Sequence, residues 1–315
     1  MTVAVLAGGV GAARFLAGLV RAVDPAGVTA IVNVGDDLER HGLHISPDLD
    51  TVTYTLAGAI NPETGWGLAG ETWQAMATLA RYGGEDWFRL GDRDLGTHLY
   101  RTGRLAAGDT LSAITADITA AWDIGAHLVP ATDDRLRTKV TIAGDDEGDD
   151  LEVDFQSYFV GRQHAVPVRS VRFDGAESAR PAHAALAALA GADAVVVAPS
   201  NPVVSIGPVL AVPGIEAAVE ARREQTVAIS PIVGGAALKG PADRMLRELG
   251  HEASAVGIAR LYAPLCATLV IDRVDADLAP AVEAEGVRCV VTDTIMGDAR
   301  AAARLAGEVL AAVTA

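Results

Sequence analysis

Lysine is almost missing from this chain. Of 315 residues only Lys139 and Lys239 are lysine, so arginine carries most of the positive charge. Lys+Arg is 25 against Asp+Glu 41, a formal net charge of −16. Neutralising nucleic-acid phosphates requires the opposite balance, and so does attraction to anionic lipid; neither nucleic acid nor a membrane surface is expected as a partner. An anionic ligand would have to be met largely by backbone N–H groups and a metal ion. Cysteine is equally scarce. Cys266 and Cys289 have no metal-ligand spacing, which argues against a disulfide framework and a structural zinc site. No run of about 18 apolar residues is present to span a bilayer. The first residues, Met1 to Gly9, lack the basic n-region of an export signal, so a cytoplasmic location is expected. Aromatic residues make up only 4%, yet all but Phe15, Phe173 and Tyr262 fall between Tyr54 and Phe159.

Hydrophobic residues are 50% of the chain, ample for a core, and their pattern is one of alternation. Val3–Leu6 reads as a buried strand, Gly8-Gly9-Val10-Gly11 as a turn, and Ala12–Val23 as a helix. Val28–Val34 is a second strand, ending at Gly35-Asp36-Asp37. Ser46-Pro47-Asp48 marks a helix start, with Ser46 as N-cap and Pro47 at the first helical position. Further strands are expected at Ala194–Ala198, Thr226–Ser230, Cys266–Ile271 and Val287–Val291. Helices are expected at Ala179–Leu189, Pro241–Leu249, Leu278–Glu285 and Asp298–Val313. Strands alternating with helices specify an α/β fold, a Rossmann-like, doubly wound, mostly parallel sheet. Between residues 62 and 185 the rhythm changes. Glu71–Tyr82 and Asp109–Trp122 look helical, and Lys139–Ile142 with Glu152–Val160 forms a hairpin around an acidic solvated turn at Asp145–Asp150. The expectation is one domain over 1–315 carrying a large mixed helix and hairpin insertion over 62–185.

Chemistry-bearing residues gather at the strand ends. Gly8, Gly9 and Gly11 between a strand and a helix serve either a tight turn or an anion site at the helix N-terminus. Arg14 occupies the place of the third glycine of a dinucleotide fingerprint, and could add a charged fork to a phosphate. Asp36, Asp37, Asp48 and Asp50 put four carboxylates within fifteen positions of one another, a set that suits magnesium beside phosphate oxygens. Helix capping is an equal account of Asp48 and Asp37, whereas Asp50, inside the first turn, is better explained as a metal ligand. Leu90–His98 reads as a polar loop in which Asp94 and His98 are candidate ligand contacts. The aromatic cluster is either core or the wall of a cavity for a flat ring. After the strand at Ala194–Ala198, the segment Pro199–Pro208 presents Ser200, Asn201, Ser205 and Gly207 for a phosphate or nucleotide. Ser230 and Gly234 repeat the idea after the next strand.

Taken together, Leu6-Ala-Gly-Gly-Val-Gly, Asn33-Val-Gly-Asp-Asp, Ser46-Pro-Asp-Leu-Asp-Thr-Val, Leu90-Gly-Asp-Arg-Asp, Pro199-Ser-Asn-Pro-Val-Val-Ser-Ile-Gly-Pro and Ser230-Pro-Ile-Val-Gly resemble the 2-phospho-L-lactate transferase family of coenzyme F-420 biosynthesis. The likeness extends from the first strand to Met296. It implies a magnesium-dependent, homodimeric transferase. Such an enzyme moves a phosphoenolpyruvyl or phospholactyl group from a guanosine diphosphate-type donor to the ribitol hydroxyl of the 5-deazaflavin Fo, and GMP is released. By motif match, Asp50 would be the principal metal ligand, supported by Asp36 or Asp37, with Asp37 the better of the pair. Ser200, Asn201, Ser205 and Gly207 would hold donor phosphate or guanosine. The inserted subdomain, around Asp94 and His98, would cover the deazaflavin, and Asp37 or Asp48 would accept the ribitol proton. Two other classes compete: a nicotinamide-dependent oxidoreductase using the strand–glycine–helix unit, and a non-catalytic deazaflavin or nucleotide carrier.

Overall fold

A computed structural model describes residues 1–144 and 149–314. Its centre is a seven-stranded sheet of β1 (Val3–Ala7), β2 (Val28–Val32), β3 (His127–Pro130), β4 (Ala194–Val197), β5 (Thr226–Ile229), β6 (Thr268–Asp272) and β7 (Arg288–Thr292). The order is β3-β2-β1-β4-β5-β6-β7 and every pairing is parallel. This is the doubly wound Rossmann order. Strands β1, β4, β5 and β6 are buried throughout, as expected for a parallel sheet covered on both faces. Their continuous apolar runs, Val-Ala-Val-Leu-Ala and Ala-Val-Val-Val, lack the alternation of a half-exposed strand for the same reason.

Chain direction reverses its side of the sheet at β1, which pairs with β2 on one flank and β4 on the other. In such sheets the crevice outside the carboxyl ends of these strands is the natural ligand site. Helix α1 (Gly9–Ala22) leaves β1 into this crevice and packs against the C-terminal helix Ala299–Thr314. Gly18 permits the close crossing, because a Cβ there would collide with Ala302. Helix α2 (Pro47–Leu56) follows a small hairpin of Leu38–Arg40 and Leu43–Ile45.

The segment between the two halves of the sheet differs in several places from its sequence reading. Strand β3 lies inside it and extends the central sheet beyond β2. Helix α3 spans Asp94–Ala106, so Leu90–His98 is not a loop: its last five residues are the opening turns of a helix. Two acidic side chains cap this region in a reciprocal arrangement. Glu71 accepts from the backbone N–H groups of Arg93 and Asp94 at 2.8 Å, and Asp92 accepts from those of Gln74 and Ala75 at 3.0 Å. The segment read as a loop thus supplies one cap, Asp92, while Glu71, read as the start of a helix, lies outside Gln74–Arg81 and caps α3. The expected hairpin is present, pairing Arg137–Ala143 with Asp150–Asp154. However, its second strand stops at Asp154, giving way to a helical turn at Ser157–Gly161, and a third strand, Val168–Asp174, pairs on the other side. The acidic turn expected at its tip lies largely outside the described residues. The three strands carry a small core of their own, Val140, Ile142, Phe155, Tyr158 and Val168 against Val204 and Met245. No helix among the described residues is long and apolar enough to cross a membrane.

Candidate active site

A cavity of about 730 Å³ opens at the crevice between β1 and β4. Its floor is the turn from β1 into α1. Gly8 is the N-cap and Gly9 has φ of +71°, a left-handed conformation that disfavours a side chain. A Cβ on Gly8 would stand 2.8 Å from Ser205 Cβ and 2.9 Å from Asp48 Oδ2, and one on Gly11 would collide with the Pro199 carbonyl. These glycines let α1 approach both the β4 loop and α2, leaving its first N–H groups beside the cavity. Ser200 fastens the same junction, its hydroxyl donating to the Gly8 carbonyl at 2.8 Å.

The acidic wall is built by the β2 exit and the first turn of α2. Asn33 organises it. Its Oδ1 accepts from the Gly35 N–H at 2.7 Å, while Nδ2 donates to Asp48 Oδ2 at 2.9 Å. Asp36 is only 6% exposed, and among the described residues neither its Oδ1 nor Asp37 Oδ1 has a hydrogen-bond partner. Burial, followed by the charges of Asp48 and Asp37, pushes its carboxyl well above the ordinary aspartate range, against the pull of Asn33 and Thr138. Burial also pushes Asp48 up, to about 6, although Asn33 and the Gly9 N–H oppose it. Asp37 faces elsewhere. Its Oδ2 accepts from Ser46 Oγ at 2.8 Å and lies 2.9 Å from His44 Nε2. Ser46 is thus the N-cap residue by position, but its hydroxyl serves Asp37 and makes no capping bond.

Behind this wall is a buried network. Arg101, 2% exposed, grips Asp50 with both terminal nitrogens, Nη1 reaching Oδ2 at 3.1 Å and Nη2 reaching Oδ1. His98 stands between two acids, Nδ1 3.7 Å from Asp50 Oδ2 and Nε2 3.3 Å from Asp94 Oδ2. Tyr54 donates to Asp94 Oδ1 at 2.6 Å. Burial alone would raise Asp94, but His98, Tyr54 and Arg101 outweigh it and hold the carboxyl below its usual range. The guanidinium likewise stays charged, since Asp50 outweighs its burial. Opposite lie cations and rings: Arg14, Arg89 and Lys239, with Trp66, Trp87, Phe88, Phe155 and Phe159.

The sequence model of the 2-phospho-L-lactate transferase CofD family matches residues 3–310. The chain belongs to this family. Among its relatives, a phosphoenolpyruvate transferase of Streptomyces griseus is 46% identical over 312 residues, covering 98% of each chain. Those of Mycobacterium avium and Mycobacterium tuberculosis are 43% and 45% identical over 336 and 331 residues, covering the whole of both chains. Two crystal structures of protein BH3568 from Bacillus halodurans, one described as a UPF0052 family member, share the fold. Their TM-scores are 0.62 and 0.61, at 18% and 16% identity over at least 98% of each chain.

In this CofD-family chain the cavity gathers most of the residues singled out by sequence. Gly9, Gly11, Arg14, Asp36, Asp48, Asp50, Asp94, His98, Ser200, Asn201, Ser205 and Ser230 line it. Asp37, Gly207 and Gly234 do not. Gly207 packs against Phe173, and the Gly234 N–H donates to Asp275 at 2.9 Å. Asn201 has a local task as well, its Oδ1 accepting from the Val203 N–H at 2.9 Å, and Ser230 Oγ donates to the Ile232 carbonyl at 2.9 Å. Two central residues, Asn33 and Arg101, stand outside the candidate set. Arg101 falls three positions after His98 and seven after Asp94, which is one face of a helix. That periodicity becomes visible only once the segment is recognised as helical.

Proposed function

We propose that this chain transfers a phosphoenolpyruvyl, or phospholactyl, group from a guanosine diphosphate-type donor to the ribitol hydroxyl of the 5-deazaflavin Fo, releasing GMP, in coenzyme F-420 biosynthesis. The observation that carries the reading is the composition of the cavity of about 730 Å³. Glycines at a helix N-terminus, buried carboxylates, the cations Arg14, Arg89 and Lys239 and an aromatic wall meet at the switch point of the sheet, in a chain whose relatives are named phosphoenolpyruvate transferases.

Each part has a task. The ribitol oxygen attacks the phosphorus of the acid's phosphate, the bridge to the guanylyl phosphate breaks, and GMP leaves with the bond's electrons. Positioning and charge neutralisation are the main work of such a site. The N–H groups at the start of α1, with Arg14, face the phosphates. Trp66, Trp87 and Phe88 offer flat apolar surface to the deazaflavin rings. Asp48 is the favoured proton acceptor. It lines the cavity, and a carboxyl near 6 is ionised at neutral pH yet more basic than an exposed aspartate. Asp37, committed to His44 and Ser46, is displaced from that role.

Among the described residues no three acidic, histidine or cysteine side chains stand together as a ready-made metal site, so a magnesium ion would rest on one or two carboxylates beside the donor's phosphates. All the donors are carboxylate oxygens, the hard ligands this ion prefers, and Asp36 Oδ1 is a buried acceptor without a partner. Asp36 and Asp50, the metal candidates that line the cavity, would hold it. Asp50 already receives Arg101, but a carboxylate has about four lone-pair sites and retains capacity. When bound, the ion would supply charge neutralisation for the phosphoryl oxygens and the departing GMP.

The test is to incubate the protein with Fo, magnesium and each guanylylated three-carbon acid, and to weigh the products. A product heavier than Fo by one phospho-acid unit, together with GMP, is expected, and Asp50→Asn should abolish it. Stoichiometric Fo binding without any heavier product would leave a carrier. Tight NADH binding without affinity for GMP would favour the oxidoreductase.

A further inference from the structure

A second pocket, of about 310 Å³, lies on the other side of the three-stranded insertion sheet and shares no lining residue with the large cavity. Its wall includes Arg40, Arg135, Arg137 and Lys139, with Glu39 and Asp154 as its carboxylates. Strand alternation explains the separation. Thr138, Val140 and Ile142 of the strand Arg137–Ala143 turn into the protein core, so Arg137 and Lys139 project from the opposite face. In a chain with a net charge of −16, four cations around one small concavity are a local inversion of sign.

Three of the four are neutralised. Arg40 pairs with Glu85, Arg135 Nη1 lies 2.8 Å from Asp174, and Lys139 Nζ lies 2.6 Å from Asp154. Arg137 is the exception. It is 9% exposed, yet among the described residues no carboxylate oxygen lies within ion-pair distance of it. Among the described residues its one hydrogen bond runs from Nη1 to the Leu136 carbonyl at 2.8 Å. A guanidinium carries five N–H donors, and those that remain belong to a side chain lining the pocket. Burying an unpaired cation is costly, and the cost is recovered when an anion arrives. The planar fork suits a phosphate group bidentately, and the pocket is at the small end of metabolite sites.

We propose that this pocket is an anion site for a phosphate group, free or carried on a small molecule, read by Arg137 with Arg135 and Lys139 at its rim. The proposal rests on no part of the transferase reading. Its test is calorimetric titration of the full chain with inorganic phosphate, inorganic pyrophosphate and glycerol 3-phosphate, in the wild type and in a cleft variant, Arg14→Gln with Lys239→Gln. The cleft variant should still bind one equivalent of phosphate-bearing probe, and the wild type at least one. Arg137→Gln should weaken this binding about tenfold or more. Equal affinity for inorganic phosphate and glycerol 3-phosphate would mark the free ion as the ligand, and preference for the ester a phosphorylated metabolite. Should Arg137→Gln fail to fold, Arg135→Gln and Lys139→Gln report instead, each expected to weaken binding several-fold. Absence of saturable binding, binding lost only in the cleft variant, or affinity indifferent to all three pocket substitutions would overturn the proposal.

Discussion

Asp48 is held in a state that costs the fold stability, and replacing it should reveal how much. Its carboxyl is raised from 3.8 to about 6 chiefly by burial. A group whose folded value exceeds its unfolded value holds its proton more tightly in the native state. Its ionisation therefore penalises folding as pH rises. Below about pH 3.8 both states are protonated and the penalty vanishes; between 3.8 and 6 it grows; above 6 it is complete. The interval between those values corresponds to about 3 kcal/mol. Asp48→Asn is nearly isosteric and its amide oxygen can still accept from Asn33, so the variant escapes the penalty. For a chain of this length that is a rise in Tm of about 4 °C at pH 8, shrinking towards zero near pH 3.5. Relief of the charge beside Asp36 acts in the same direction. The assay is thermal unfolding of both proteins across pH 3.5–8 in chelator, alongside transferase activity, which the substitution should remove. A variant equal to or less stable than the wild type at pH 8, or a difference independent of pH, would refute the reasoning.

The same geometry makes three further claims. Arg101→Met strands the Asp50 carboxylate in a buried site and should cost about 3–5 kcal/mol in denaturant unfolding at neutral pH; a loss below about 1 kcal/mol would mean that Asp50 finds water. Gly11→Ala drives a methyl into the Pro199 carbonyl and should destabilise by about 1–3 kcal/mol, with weaker GMP binding by calorimetry because α1 must retreat from the β4 loop. Magnesium at ten times its dissociation constant should stabilise the wild type by about 1.4 kcal/mol relative to sodium chloride of equal ionic strength. In Asp36→Asn that gain should largely disappear, and an undiminished gain would place the ion elsewhere.

Most of the central sheet was legible because β1, β4, β5 and β6 are buried on both faces, so apolar runs and the glycine or proline breakers beside them marked the strands other than β3 to within about two residues. The insertion was harder to read for a physical reason. In α3 only Asp94, His98 and Arg101 are buried, and Leu99 and Tyr100 are exposed. Its inward face is polar, so the apolar periodicity that identifies helices is missing. Strand β3 is a short edge strand of four residues, ending at Pro130, which leaves little pattern to detect. Within the site, residue types were informative and partners were not. A sequence that places Asp36, Asp37, Asp48 and Asp50 close together does not reveal that Asp37 turns to Ser46 and His44. Nor does it reveal that Asp50 is answered by an arginine 51 positions later.

Those partners change how the acidic corner should be understood. Four carboxylates in one crevice would ordinarily repel an anionic donor, yet they are not equivalent. Asp50 and Asp94 are met by Arg101, His98 and Tyr54, and Asp37 Oδ2 by Ser46 and His44, whereas Asp36 Oδ1 and Asp37 Oδ1 have no hydrogen-bond partner among the described residues. Asp36 and Asp48, which line the cavity, are both raised, first by burial and then by neighbouring carboxylates, Asp48 and Asp37 acting on Asp36 and Asp37 on Asp48. A pair of acids in that condition has two ways to relax: to take up a proton or to take up a cation. A base for a hydroxyl proton is the first, and a magnesium site the second. Asp50, though answered by Arg101, also lines the cavity and keeps lone pairs with which to join Asp36 in holding a cation. The network around Arg101 thus has a definite physical role. By answering Asp50 and Asp94 from behind, it leaves the less compensated charge on the side of the crevice that faces Gly9 and the glycine turn, where the proposed cation and departing phosphate would be held together.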